Sequence, residues 1–432
     1  MRSSTTGSRC AAGLRLVPRS AGTYHGTHAQ ARGGADAQPG AYTLVLLPGG
    51  SACDAAPVTY GVHRHAWVRC ALTEVASVAA SAAARFAAAP NGAAPPPVSS
   101  TGTLRLEFTL CNAAPSEAYR FTWDADALER IIAPMTAALA PLCALRVGSS
   151  VLLHTALGEG VAPEWNAARG THVLPRDALA RLVDPAWPLH APEGAPHERV
   201  LQLLAFVAAP KQCPLELAGG ARGFTSPDWG GVVVWNPPGC GGDNVTARGA
   251  RELDAAELRG VMAMFAAQLR TLLGLPAAPG ADVVPATRAA FAAWEVDALA
   301  RRAAIAHAVV AGESLAALGR VVKALPGMVI SDTIASMAAR GLHAATMAAR
   351  AIGAGRHAEA TALAAAAHEA AEGAFFHPSI LSLLYFPGDH KLAVYMPLFL
   401  PVLLPLTLAA MREGRHYRRR RAFAAAFRMP AE

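Results

Sequence analysis

LAVYMPLFLPVLLPLTLAAM, residues 392–411, is a run of twenty residues without a charge. As a helix rising ~1.5 Å per residue it reaches ~30 Å, the thickness of a bilayer's hydrocarbon core. Its seven Leu, two Val and one Phe favour insertion by several kcal/mol, at roughly −0.3 to −0.6 kcal/mol each. A buried core helix would have no reason for the unequal flanks this stretch carries. FFHPSILSLLYFPGDHK precedes it, with Lys391 as the only Lys or Arg in the last fifteen residues. Arg412, Arg415, Arg418, Arg419, Arg420, Arg421 and Arg428 follow it. Residues 392–411 therefore read as a transmembrane helix. The positive-inside rule places the basic tail, 412–432, in the cytosol and the body across the membrane from it. The six arginines from Arg412 to Arg421 also suit nucleic acid or anionic lipid, but beside a span they read first as topology signals.

Pro397, Pro401 and Pro405 sit inside the span, four residues apart and so close to one helix face. Each removes a backbone donor and leaves a carbonyl one turn earlier without its partner. In lipid such groups need neighbouring helices, hydroxyls or water. The pattern predicts a helix packed against others in a membrane complex.

The chain has 432 residues and a net charge of +7, enough length for two or three domains with a sizeable core. The charge is concentrated at the two ends, and the middle has no basic stripe, which argues against nucleic-acid binding. Residues 1–40 contain Arg, Ser and Gly, no acid before Asp36 and no apolar run. They read as a disordered or mispredicted arm rather than a secretory signal.

Residues 41–275 read as an α/β domain of mixed sheet layered with helices. Strands are expected at 41–48, 102–110, 149–157, 199–208 and 229–236, from alternating or continuous apolar runs. Helices are expected at 72–89, at 124–141 with an interruption at Pro134, and at 254–273. For the last, Asp254 and Glu257 stand in capping-box relation, and Leu258, Val261, Phe265, Leu269 and Leu272 form one apolar face. Residues 285–374 read as helical only, with segments at 287–310, 313–325, 332–352 and 357–372. A juxtamembrane segment, 375–391, leads into the span.

The chemistry-bearing residues form no constellation in sequence. Seven cysteines, Cys10, Cys53, Cys70, Cys111, Cys143, Cys213 and Cys240, show no CxxC or His/Cys ligand spacing, so no metal and no cofactor is expected. One or two disulfides are compatible with a lumenal compartment, with pairing open. Cys240 in PPGCGGDN is a conceivable nucleophile with His154 as base, but a Gly/Pro-flanked cysteine more often sits in a loop or a disulfide. Motifs of serine hydrolases, zincins, P-loops and Rossmann folds are absent. His377 and His390 read as interfacial polar residues, and Trp229 and Trp235 as core. One sequon, Asn244-Val-Thr246, becomes a glycosylation site if the body is lumenal.

YFPGDHKLAVYMPLFLPVLLPL, with FFHPSILSLL before it, resembles the C-terminal membrane segment of the PIG-S family of glycosylphosphatidylinositol (GPI) transamidase subunits. FTSPDWGGVVVWN, LRGVMAMFAAQLRTLLGLP and ESLAALGRVVKALPGMVISD resemble further PIG-S segments in the same order. The resemblance covers roughly 119–411 and is weak over 41–110. The family also has an N-terminal membrane helix, from which this sequence departs, and a sequon in the region of Asn244.

The resemblance implies a non-catalytic subunit in the endoplasmic reticulum membrane. The complex cleaves a C-terminal signal from a precursor and joins the new carboxyl end to the ethanolamine of a GPI lipid. The implied partners are a caspase-like catalytic subunit, which carries the reactive cysteine, and PIG-T, PIG-U and Gaa-type subunits. The alternatives from other classes are a stand-alone lumenal cysteine hydrolase and a single-pass receptor.

Overall fold

The computed structural model describes residues 13–18, 40–47, 58–69, 75–87, 103–115, 119–155, 157, 161–182, 198–227, 229–240, 249–324, 330–378 and 388–426. It divides into two compact units. The first comprises residues 1–311 and 342–369, and the second 312–341 and 370–432.

The first unit begins with a small sheet of β1 (Gly13–Pro18), β2 (Ala41–Leu47), β3 (Thr59–Tyr60) and β4 (His65–Arg69), in the order β1-β2-β4-β3. Strand β1 falls within the stretch expected to be a disordered arm. The alternation in GLRLVP and its parallel register against β2 explain why a strand forms there. Along β2 every second side chain is buried, and Tyr42, Leu44 and Leu46 meet Ala82 and Phe86 of helix α1 (Val75–Ala87). Tyr42 stacks on Phe86 at 4.5 Å between centroids.

The main sheet is built from β5 (Thr103–Asn112), β7 (Ala144–Leu153), β10 (Glu198–Val207), β12 (Gly223–Ser226) and β13 (Gly230–Val234), in the order β12-β13-β10-β5-β7. Four of these strands are parallel, and β12 is an antiparallel edge. Small strands complete the unit: β6 (Tyr119–Thr122) pairs with β14 (Gly249–Glu252), and β8 (Glu164–Asn166), β9 (Thr171–Leu174) and β11 (Leu215–Leu217) form a third sheet.

A parallel sheet must be covered on both faces, and this one is. Leu104, Leu106, Phe108 and Leu110 of β5 point to a core shared with α2 (Ala125–Leu139) and α3 (Ala255–Leu272). Cys111, Leu204, Phe206, Val232 and Val234 face Leu174, Leu182, Leu215 and Leu217 on the other side. The five residues of the expected apolar face of α3 are all buried. They contribute about 10 kcal/mol of gross burial, most of it offset by chain entropy.

Two asparagines act as short backbone mimics at strand ends. The Asn112 amide exchanges bonds of 2.8 and 3.0 Å with the Phe121 backbone, and Asn236 does the same with Leu215 at 2.9 and 2.8 Å. Gly148 of β7 lies against Glu107, a carboxylate 1% exposed on the neighbouring strand β5 and paired with Arg105 at 3.0 Å. Any side chain at 148 would collide with that carboxylate.

Several boundaries differ from the sequence-based expectation. Strand β7 runs from 144 to 153 rather than from 149 to 157, because pairing with β5 sets its register. Helix α2 passes through Pro134 without interruption. The carbonyl that Pro134 leaves unpaired belongs to Arg130, an exposed residue, so water can satisfy it. The capping box at Asp254 and Glu257 forms as expected, and Gly274 at φ +79° ends α3.

The helices expected at 287–310 and 313–325 are one helix, α4 (Ala293–Ala324). Gly312 has open space around it and does not break the helix, since one glycine costs only about 1 kcal/mol. Gly312→Ala is therefore expected to stabilise α4 by about 0.4–1 kcal/mol. A higher thermal midpoint of the purified chain checks this, and an unchanged or lower one would contradict it.

Helices α5 (Asp332–Gly353) and α6 (His357–Phe375) follow. In the first unit Ala304, Ala348, Ala351, Ala360 and Ala364 pack α4, α5 and α6 closely. In the second, Leu318, Ile334 and Ala374 make a smaller cluster. The last element is α7 (Gly388–Ala426), 39 residues long.

His357 begins α6 at 4% exposure, and its Nδ1 has no hydrogen-bond partner. Burial first, then the charge of Arg301, pushes its pKa below the ordinary value, with Asp297 opposing and Arg64 adding. A depressed histidine pKa means the fold favours the neutral ring. The stability it contributes is complete above the unfolded value near 6.5 and is lost as pH falls through the folded one. Melting between pH 7.5 and 5.5 should show falling stability, with a shallower slope in His357→Gln; identical slopes would remove His357 as the cause.

Candidate functional site

The part of the molecule that its own chain leaves unserved is α7. Every side chain described between Ala393 and Phe423 is exposed, including Leu398 at 68% and Leu406 at 62%. The helix is long and apolar enough to cross a bilayer, and none of its most apolar window is buried. Helix α4 also passes the length and composition test. Its first half, however, carries buried Val296, Leu299, Ala300 and Ala304 of the first unit, as a core helix does.

Pro397, Pro401 and Pro405 all lie inside α7. Lacking N–H groups, they leave the carbonyls of Ala393, Pro397 and Pro401 without the usual helical donor. These oxygens are also four residues apart, so they follow the proline face. Thr407 cannot serve them, because its hydroxyl donates to Leu403 O and Leu404 O at 2.9 Å each. The face thus combines close-approach geometry with free acceptors, which suits donors or small residues on a neighbouring helix.

The body presents a different picture. Among the described residues no three His, Cys, Asp or Glu side chains are grouped to hold a metal. Cys240 is bonded to Cys213, with 5.5 Å between Cα atoms, so its sulfur is not a nucleophile. His154, its imagined base, is exposed and adopts φ 59° at the end of β7. Burial pushes the Cys111 thiol up to about 12 and the Cys143 thiol up to about 11, which keeps both protonated and unreactive near neutral pH. A shallow cavity of about 240 Å³ lies between the end of α2 and α6. Its one hydroxyl, on Thr361, is already bonded to Ala300 O and His357 O.

Trp235 sits in the core at 8% exposure, edge-on to Phe121 at 4.9 Å, and Trp229 packs at the rim of the second core face. His377 is partly buried; the side chain of His390 and the sequon at Asn244 lie outside the described residues. Cys10, Cys53 and Cys70 do as well.

Two ion-pair networks, one buried and one part-buried, were not visible in the sequence. Arg270 donates to Glu295 Oε2 and Oε1 at 2.9 and 2.7 Å, with both side chains about 5% exposed. Arg270 also reaches Ala290 O and Pro276 O, and the Ala292 amide donates to Glu295. Arg64 forms a two-point pair with Asp297 at 2.5 and 2.7 Å, and the Tyr42 hydroxyl donates to the same carboxylate at 3.3 Å. Both networks fix the start of α4, one against α3 and the other against the small sheet. Both tie α4 to the rest of the first unit.

Comparison with known proteins covers most of the chain. The family model of phosphatidylinositol-glycan biosynthesis class S protein, PIG-S, matches residues 27–420. A cattle protein named GPI-anchor transamidase component PIGS is 30% identical over 328 residues, which is 73% of this chain and 58% of that relative. The human protein of the same name is 29% identical over 326 residues, with the same shares. A fission-yeast GPI transamidase component PIG-S homolog is 25% identical over 213 residues, 48% of this chain and 36% of its own. The match to the mammalian relatives spans 58% of their length. The family match extends from residue 27, ahead of β2, to residue 420 within α7, and on that evidence the chain belongs to the PIG-S family.

Proposed function

We propose that this chain is a non-catalytic component of the GPI-anchor transamidase of the endoplasmic reticulum membrane. The observation that carries the reading is the family match over 27–420, which agrees with the names of the relatives. In this reading residues 392–411 span the membrane, the α/β body is lumenal and the basic tail is cytosolic. The arginines beyond the span, against Lys391 alone before it, support that orientation. The Cys213–Cys240 disulfide supports an oxidising compartment for the body. The partners are a caspase-like catalytic subunit and the PIG-T, PIG-U and Gaa-type subunits, with the proline face of α7 docking against membrane helices among them. Catalysis belongs to another subunit, and this chain holds the assembly together or gathers precursor.

Tagged chain, purified in mild detergent, is expected to bring down the other transamidase subunits. Recovery of none of them would overturn the assignment. Asn244 is expected to carry a glycan, seen as a loss of mass on endoglycosidase treatment. An unglycosylated body open to protease in sealed microsomes would reverse the orientation while leaving complex membership to the pull-down.

A further inference from the structure

Helix α7 does not end where its apolar run ends. It continues without a break from the span through Ala426, so Arg412, Arg415, Arg418, Arg419, Arg420 and Arg421 project from a helix whose other end lies in the bilayer. All six are exposed. Glu413 is the one acid in the stretch 412–421, and among the described residues none of the six forms a salt bridge within the chain. Arg421 lies over the Tyr417 ring at 5.7 Å, and Tyr417 and Phe423 are themselves exposed.

The angular distribution of these charges is informative. At about 100° per residue, the six arginines stand at about 0°, 300°, 240°, 340°, 80° and 180° around the axis. No gap between them exceeds about 100°, so they form a collar rather than a stripe. A protein partner seated on one side would meet only part of a collar. A leaflet of lipid headgroups surrounds a membrane helix on every side and meets all of it.

The heights agree with this. Arg412 and Arg415 stand about 1.5 and 6 Å beyond Met411, inside the headgroup layer, which is about 5–8 Å deep on each side. The four from Arg418 to Arg421 stand about 10–15 Å beyond, where long stems reach back to phosphate level and Tyr417 lies among them as interfacial aromatics do. Guanidinium groups bind phosphate oxygens in pairs.

We propose that residues 412–421 form a collar that selects anionic phospholipid headgroups, gathering them as an annulus around the end of the span. The proposal rests on the membrane span proposed above, but it does not depend on which side of the membrane the tail occupies.

The test uses the full chain reconstituted from detergent into vesicles of phosphatidylcholine with about one fifth phosphatidylserine in both leaflets. Spin-labelled phosphatidylserine and phosphatidylcholine report the lipid held against the protein. Phosphatidylserine is expected to be enriched about two- to tenfold over phosphatidylcholine, and the preference should collapse in high salt. Replacing Arg415, Arg418, Arg419, Arg420 and Arg421 with Gln should bring the ratio close to one while the chain still floats with the vesicles. Equal ratios for the parent chain and this variant would overturn the proposal. So would loss of a co-purifying protein in the variant with lipid preference unchanged, which would assign the collar to a protein partner. A chain that fails to enter vesicles at all would overturn the span and the collar together, whereas a chain that enters without lipid preference overturns the collar alone.

Discussion

Arg270→Met is expected to lower the stability of the first unit by about 3–5 kcal/mol. The substitution leaves Glu295, 5% exposed, with the Ala292 amide as its one remaining partner in the network, and an unpaired buried carboxylate carries that cost. The carbonyls of Ala290 and Pro276 lose their donor as well. The thermal midpoint of the body should fall by about 10 °C, at about 2–4 °C per kcal/mol for a unit of this size. The double change Arg270→Met with Glu295→Leu should recover much of the loss, because removing both charges leaves apolar groups of similar volume. A single variant that melts within about 2 °C of the parent would show that the pair is not what fixes α3 to α4.

The second large effect concerns assembly. Replacing Pro397, Pro401 and Pro405 together with Leu restores three backbone donors and satisfies the carbonyls of Ala393, Pro397 and Pro401. Leu also inserts more favourably than Pro, so a helix serving only as an anchor would be improved. A helix shaped for neighbours would instead be straightened, and its acceptors would no longer need donors from outside. The expected result is unchanged membrane insertion with several-fold lower recovery of the transamidase subunits proposed as its partners, at matched expression. Equal recovery would make the three prolines incidental to assembly.

The sequence alone determined those features in which local pattern and burial agree. Helix α3 was legible because its cap, its apolar face and its terminal glycine lie within twenty residues of one another. Strands β10 and β13 were legible because a strand buried on both faces must be continuously apolar or nearly so, and β5 because its apolar residues alternate, although that pattern reads as half-buried and Glu107 and Thr109 on its other face are buried as well. The long apolar helix over 392–411 was legible because its length and composition can be counted along a single segment. The resemblance to PIG-S was likewise carried by ordered segments that can be read along the chain.

Tertiary structure decided the rest, through contacts distant in sequence. The short strands β3, β6, β8, β9, β11, β12 and β14 have two to four residues each, too few for a period to show, and they exist because longer strands or each other offer pairing. Strand β7 took its register from β5, Pro134 was tolerated where the carbonyl it orphans belongs to an exposed residue, Arg130, and Gly312 was carried through by the helix on either side of it. Cys240 found Cys213 across 27 residues, which no spacing rule assigns. Arg270 with Glu295, and Arg64 with Asp297, read in sequence as solvated charges. They leave water, Arg64 only in part, because separations of 25 and 233 residues close only when the sheets and α4 come together, and a charge leaves water only where its partner is already in place.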